Sequence, residues 1–337
     1  ATRLPFDTIE IVNEEIRFVA YDKSWLFDRK TNEVKADPTR AIQKKQPATT
    51  KDGPRQPRRE GVWNATIANN NIVLTKKDGS ETIKLTTDGT DEDSYSANSL
   101  YWSPDQTKLV ALRTKRGEER KINLIESSPK DQTQPKLHTL NYAKPGDRLA
   151  VSKPHLFDLS TRKEIAISDE LFPNPWSLNR LSWNANSTEF TFHYNQRGHQ
   201  VWRMVGIEAN TGKARAIIDE VSKTFIDYAG KFYFQELAND EILWMSERDG
   251  WNHLYLIDKK TGKVKNQITK GEWVVRGVER YDEKTRQLWF RCGGIYPEQD
   301  PYYQHYCRID FAGNNLVKLT EGDGTHSLQY SPDGKYI

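Results

Sequence analysis

Cys292 and Cys307 are the only thiols in the chain, and their setting decides what they could do. Apolar runs, Leu288 to Cys292 and His305 to Ile309, flank a loop that holds Gly293, Gly294 and Pro297, so the segment reads as a hairpin. Antiparallel neighbours of that kind bring two sulfurs into bonding range. A disulfide is the expectation, against two buried free thiols. It would close a loop of about 14 residues, contribute about 3 kcal/mol in the chain-entropy account, and place the protein in an oxidising compartment. No metal or cofactor is expected: a zinc site asks for about four ligands, and only His305 stands near the cysteines. The seven histidines are dispersed, and His253 sits inside an apolar strand where packing or a local hydrogen bond is its role. The sequence has no Gly-x-Ser-x-Gly nucleophile elbow and no hydrolase-like βαβ pattern. Asn64-Ala-Thr66 and Asn186-Ser-Thr188 fit the glycosylation pattern, at a frequency near chance for a chain of this size.

Charge excludes other partners. There are 50 basic against 47 acidic residues, a net charge of +3, which gives no electrostatic case for nucleic acid or a membrane surface. The basic run Lys44, Lys45, Lys51, Arg55, Arg58 and Arg59 lies in a Pro- and Gly-containing stretch and reads as a solvated loop. No segment reaches the ~18 apolar residues of a membrane helix. The N-terminus has no signal-peptide core, so a mature or excised chain is expected.

The elements that would position these residues show best in Ser246-Glu-Arg-Asp-Gly-Trp-Asn-His-Leu-Tyr-Leu-Ile-Asp258 and the Lys-Lys-Thr-Gly-Lys that follows. A polar turn ends one strand, His253 to Ile257 alternates between two faces, and Asp258 to Gly262 turns back into Val264 to Ile268. Weaker copies of this hairpin turn occur at Asp28, Asp78, Asp158, Glu208 and Asp310. Their spacing is about 50 residues, with one interval of about 80. An offset motif, aromatic residue then polar turn then apolar strand, starts at Tyr101, Leu181, Arg280 and Gln329. Together they make four short antiparallel strands per unit, the signature of a β-propeller blade. The expected fold is therefore all-β, a propeller of about six to eight four-stranded blades. The long interval, from 78 to 158, reads as a blade carrying an excursion. The chain is read as one propeller domain over 1–337 with incomplete ends, since Ser331 to Ile337 stops mid-strand.

Ser246 to Asp258 resembles the signature of the N-terminal propeller domain of dipeptidyl-peptidase-IV-like serine peptidases, in the prolyl oligopeptidase family. Tyr101 to Asp105, Tyr142 to Asp147, Lys270 to Trp273, Asp300 to Tyr303 and Leu319 to Ser327 resemble the same domain in the same order. The likeness runs over about residues 15 to 337. It implies an eight-bladed parent domain, a C-terminal α/β-hydrolase domain that is absent from this chain, and a propeller that shields and selects peptides. It also implies a double-glutamate motif before the Trp-Ser-Pro-Asp strand that grips the substrate's α-amino group. The matching stretch here, Thr87 to Ser99, holds Asp91, Glu92 and Asp93 without consecutive glutamates. Glu92 is the candidate substrate-binding residue, against a plain acidic turn. Glu118-Glu119 is a true pair but follows the strand, so the role is not carried to it.

The expected function is thus the non-catalytic, substrate-gating domain of an exported, periplasmic or extracellular exopeptidase acting on Xaa-Pro or Xaa-Ala peptides. Its expected partners are a peptide substrate, the parent's hydrolase domain and, through the parent, a homodimer, with no nucleic acid and no membrane span in this chain. The rival is a non-enzymatic propeller scaffold, which the missing glutamate pair favours.

Overall fold

The structure is a computed structural model that describes residues 9–12, 15–20, 23–37, 61–331 and 336–337. The basic run from Lys44 to Arg59 and the centre of the last aromatic motif lie outside the described residues. Every regular element among the described residues is a β-strand. The chain divides into two compact units, Ala1–Pro57 and Arg58–Ile337.

In the first unit, β1 (Ile9–Val12), β2 (Glu15–Ala20), β3 (Lys23–Asp28) and β4 (Glu33–Ala36) form an antiparallel meander in chain order. Its last turn is one of the repeated Asp turns. The Asp28 carboxylate accepts the N–H of Lys30 at 2.8 Å, and Asn32 supplies the positive φ that closes the turn.

The second unit begins with a three-stranded sheet, β5 (Trp63–Ala68), β6 (Asn71–Lys76) and β7 (Thr82–Lys84). Next come β8 (Asp93–Trp102) and β9 (Lys108–Lys115). The chain then leaves the sheet as a two-stranded arm, β10 (Lys121–Glu126) and β11 (Lys136–Asn141), and returns as β12 (Val151–Asp158) and β13 (Lys163–Ile165). This is the excursion that the long interval predicts. Three regular four-stranded sheets follow in chain order. They are β14 (Pro175–Trp183) to β17 (Ala214–Val221) through β15 (Glu189–Gln196) and β16 (Val201–Glu208); β18 (Phe234–Leu237), β19 (Glu241–Ser246), β20 (His253–Asp258) and β21 (Val264–Gln267); and β22 (Val274–Asp282), β23 (Gln287–Gly293), β24 (Gln304–Asp310) and β25 (Val317–Lys318). Across both units the described residues thus form six blade-like sheets.

Neighbouring blades share their cores, and this explains the double apolar alternation of the signature strand. Leu254 and Leu256 face one way and pack with Leu243, Leu288 and Phe290. Tyr255 and Ile257 face the other way and pack with Met204, Ile218 and Trp244. A strand buried on both faces shows no polar side, and β19 is buried at all six positions. Each large side chain so buried contributes roughly 1.5–3 kcal/mol.

Because the strands alternate in direction, the connections of the second unit fall at two ends. One end carries short turns that cap themselves. The Asp258 carboxylate accepts the Thr261 N–H at 2.7 Å, which holds its pKa below the usual carboxylate value. Gly262 follows at φ 71°, where a Cβ would stand 2.7 Å from the Ile217 carbonyl of the neighbouring sheet, so the turn needs glycine. The turns of adjacent sheets touch here: the Asp105 N–H donates to Ser187 Oγ at 3.1 Å, and the Ala238 N–H donates to Glu283 at 3.0 Å. The opposite end carries the arm, the 222–233 connection, the signature turn at 247–252 and the 294–303 loop. These too are tied together, by Arg197 donating to the Asp147 carbonyl at 2.7 Å and the Ile226 N–H donating to the His199 carbonyl at 2.8 Å.

Candidate functional site

Among the described residues the long-connection end holds several cavities, three of which bear on function, and the first of these contains Glu92. It measures about 430 Å³ and is walled by Glu92, Arg116, Glu118, Glu119, Arg120 and Arg148. Glu92 ends the loop that leads into β8. The Arg116 N–H donates to the Glu92 carbonyl at 2.7 Å, and the Glu118 N–H donates to the Arg148 carbonyl at 2.7 Å. These bonds stitch the root of the arm to that loop, so the glutamate pair at 118–119 is brought beside Glu92 by folding, although it lies on the far side of two strands in sequence. Glu118 pairs with Arg120 at 2.9 Å and Glu119 pairs with Arg116. Asp91 accepts from Asn70 at 2.6 Å, and Asp93 meets Arg113 at 3.2 Å. Of the acidic run, Glu92 alone keeps a carboxylate without a hydrogen-bond or ion-pair partner among the described residues.

The second cavity, about 220 Å³, opens between the β14–β17 and β18–β21 sheets and is lined by Trp202, Tyr228, Phe232 and Trp244 together with Glu220 and Arg248. Glu220 is the organising acid. It accepts from Trp244 Nε1 at 2.8 Å and Ser246 Oγ at 2.9 Å and pairs with Arg248. The His199 ring stacks on Tyr228 at 4.4 Å, and Lys231 pairs with Glu247 at 2.6 Å, so the 222–233 connection is held against the blade. An aromatic wall set beside the largely buried Glu220 and several further charged side chains suits a ligand with both an apolar and a polar part.

The third cavity, about 560 Å³, lies on the other side of the same signature turn, with Trp251, Trp273, Arg276 and Tyr302 among its walls. Ser246, Glu247 and Arg248 therefore face the second cavity while Trp251 faces the third. Sequence reading takes this stretch as blade packing. That holds for His253, which is fully buried, accepts from the Thr269 hydroxyl at 3.0 Å and donates to the Gly271 carbonyl at 2.9 Å. The turn before it is what sequence reasoning missed. A hairpin needing only two residues has six here, and that surplus of polar residues around a Trp was the available signal.

Cys292 and Cys307 stand on β23 and β24 as two buried thiols, sulfur to sulfur 3.5 Å. Cys292 is directly opposite His305 and Cys307 is opposite Phe290, so the two are diagonal neighbours on one sheet face. The neighbouring thiol and burial push the Cys292 thiol up, and it stays protonated. Asn64 lies on β5, and Asn186 lies in the β14–β15 turn, where its side chain accepts from Thr188. Among the described residues no group of three or more potential ligands is placed to hold a metal ion, and no helix is long and apolar enough to cross a membrane.

Comparison with known proteins fits this architecture. The family model for the dipeptidyl peptidase IV (DPP IV) N-terminal region matches residues 8–337. Dipeptidyl peptidase 4 of Arthroderma otae is 24% identical over 203 residues, which cover 57% of this chain and 26% of that protein. The crystal structure of Porphyromonas gingivalis dipeptidyl peptidase 4 superposes with a TM-score of 0.54 at 22% identity, over 95% of this chain and 44% of that one. The chain thus spans about a quarter of the curated relative and under half of the solved one. The shared fold is the all-β propeller.

Proposed function

Because the chain belongs to the family defined by the dipeptidyl peptidase IV N-terminal region, we propose that it is the non-catalytic, substrate-gating part of a serine exopeptidase. In this reading the nucleophile sits on a hydrolase domain elsewhere in the parent, and the propeller binds and aims the peptide. One observation carries it: the three cavities open among the long connections at one end of the blades, whereas the other end is built of turns that satisfy their own hydrogen bonds.

Glu92 is the grip for the substrate's free α-amino group. Glu118 and Glu119 already answer Arg120 and Arg116, whereas Glu92 acts on Arg116 only through longer-range attraction, so an ammonium on its carboxylate gains a charge-assisted bond. An Xaa-Pro peptide with a free N-terminus should therefore bind the chain about tenfold more tightly than its N-acetylated form, the size of one exposed bond of this kind. Glu92→Gln should erase that difference. Equal binding of the two peptides by the unaltered chain would remove Glu92 from the site, and binding of neither would remove peptide gating. The scaffold reading draws on a single observation, the lack of consecutive glutamates in Thr87 to Ser99. A parent that binds peptides yet hydrolyses neither Xaa-Pro nor Xaa-Ala substrates decides for it.

The same proposal exports the parent and oxidises its cysteine pair. Two thiols lose two protons and two electrons to a disulfide donor, which leaves as two thiols. From 3.5 Å the sulfurs must close by about 1.5 Å to bond. Protein recovered from an exported source and denatured without reductant should resist alkylation at Cys292 and Cys307. Alkylation of both would keep the pair as thiols.

A further inference from the structure

We propose that the cavity between the signature turn and the 294–303 loop binds the C-terminal end of a short peptide, with Arg276 as its carboxylate receptor. At about 560 Å³ it falls in the size range of small-ligand sites. Its aromatic walls are fixed before any ligand arrives. Trp273 lies stacked on Phe290, centroids 5.9 Å apart and planes at 14°, with His253 edge-on at 5.0 Å. Tyr296 donates its hydroxyl to the Thr320 carbonyl at 2.9 Å under the Lys318 ammonium, 3.9 Å from its ring. Rigid walls spare a ligand the entropy of ordering them. At the rim, Trp251 is 41% and Tyr302 78% exposed, so neither ring is there to fill the blade core.

The polar groups of the cavity are unanswered. Arg276 has no hydrogen-bond or ion-pair partner among the described residues, and neither does Glu272. The Arg276 Nε lies 3.3 Å from where a Cβ would stand on Gly293, so the bare backbone at 293 gives the guanidinium its room. Gln299 donates its amide to the Glu321 carbonyl at 3.3 Å, while its Oε1 is buried without a donor. That acceptor calls for an N–H.

A free guanidinium fork, an acceptor in need of an amide N–H and flat apolar walls describe a peptide terminus. The fork takes the carboxylate in a bidentate pair, Gln299 takes a backbone N–H, and the rings cover a prolyl or other apolar last residue. A phosphate brings neither an N–H for the Gln299 oxygen nor an apolar part for the rings, and a sugar would leave Arg276 unanswered.

The test is calorimetric titration of the full chain with Ala-Pro and with its C-terminal amide. The free acid should bind at least tenfold more tightly than the amide. Arg276→Ala should abolish that preference, Arg276→Lys should keep part of it, and Trp251→Ala should weaken both ligands alike. Both positions are at the surface of the cavity, so folding is not at stake. N-acetylation of both ligands should leave the acid-over-amide ratio unchanged, which separates this site from the amine grip proposed above. Acid and amide binding alike, no heat from either, or a preference that survives Arg276→Ala would each overturn the proposal.

Discussion

Acidification from pH 6.5 to 4.5 should cost the protein about 2 kcal/mol through His193 alone, and His193→Phe should abolish that share. His193 sits on β15, only 2% exposed, ringed by Trp202, Phe232, Phe234 and Trp244. Neither of its ring nitrogens has a hydrogen-bond partner. Burial first, and then the nearby Arg180 cation, push its pKa down to about 3. The unfolded chain takes up a proton near the ordinary histidine value of about 6.5, while the folded chain does not until about pH 3. Between those limits the unfolded state holds more protons. Stability is therefore complete above the unfolded value and falls as pH drops, with a limiting slope of about 1.4 kcal/mol per pH unit. His199 and His305 are also shifted down by burial and act with the same sign. The informative quantity is hence the difference between the unaltered chain and His193→Phe in urea melts at pH 7.5, 6.5, 5.5 and 4.5. Parallel pH dependences would show that His193 is charged or solvated in the folded state. Phenylalanine keeps the ring contacts and leaves no nitrogen orphaned, so stability at neutral pH should hold or rise.

Trp244→Ala should lower stability by about 3–5 kcal/mol, the range for a buried Trp lost to a cavity. Trp244 is 2% exposed in the shared core of two blades, edge-on to Phe232 at 5.6 Å and to Phe234 at 6.3 Å. Its indole N–H also anchors Glu220. Trp244→Phe separates the two roles: it keeps most of the ring contact and loses a bond to a charged acceptor, about 1.5–3 kcal/mol. The alanine variant should melt on the order of 10 °C lower. It should also enlarge the aromatic cavity, since the same ring forms part of its wall. A loss below about 1 kcal/mol for alanine would mean that the two blades do not share this core.

Much of this fold was legible because its turns announce themselves. An Asp whose side chain caps the chain two or three residues on, followed by a Gly at positive φ, is a local event, and Asp258 to Gly262 needs no distant partner to be recognised. The apolar alternation of Leu254 to Ile257 likewise reports on its own strand. Other elements were silent for a physical reason. The hairpin β18–β19 carries its aromatics, Phe232 to Phe234, at the start of the first strand and not next to the turn as Trp102 and Trp183 stand, and β5 alternates across a half-exposed surface. The candidate site was the least legible part. Glu92 and Glu118 converge only because the chain leaves the sheet after β9 and the arm's root folds back, and no local pattern encodes that. Trp251 and Arg276 belong to different blades, so their shared cavity exists only after the sheets have packed.

The arm has a consequence for how such proteins diversify. β9 and β12 pair without interruption from Lys108↔Asp158 to Lys115↔Val151, so the chain leaves and re-enters the blade at adjacent points. The arm is a cassette spliced into a blade that is complete without it. Leu124, Ile125, Leu137 and Leu140 on the cassette are all about half exposed or more, and none is needed by the core beneath. Descent can therefore lengthen, shorten or exchange the arm, and with it the charged rim around Glu92, while the ancestral sheet stays in register.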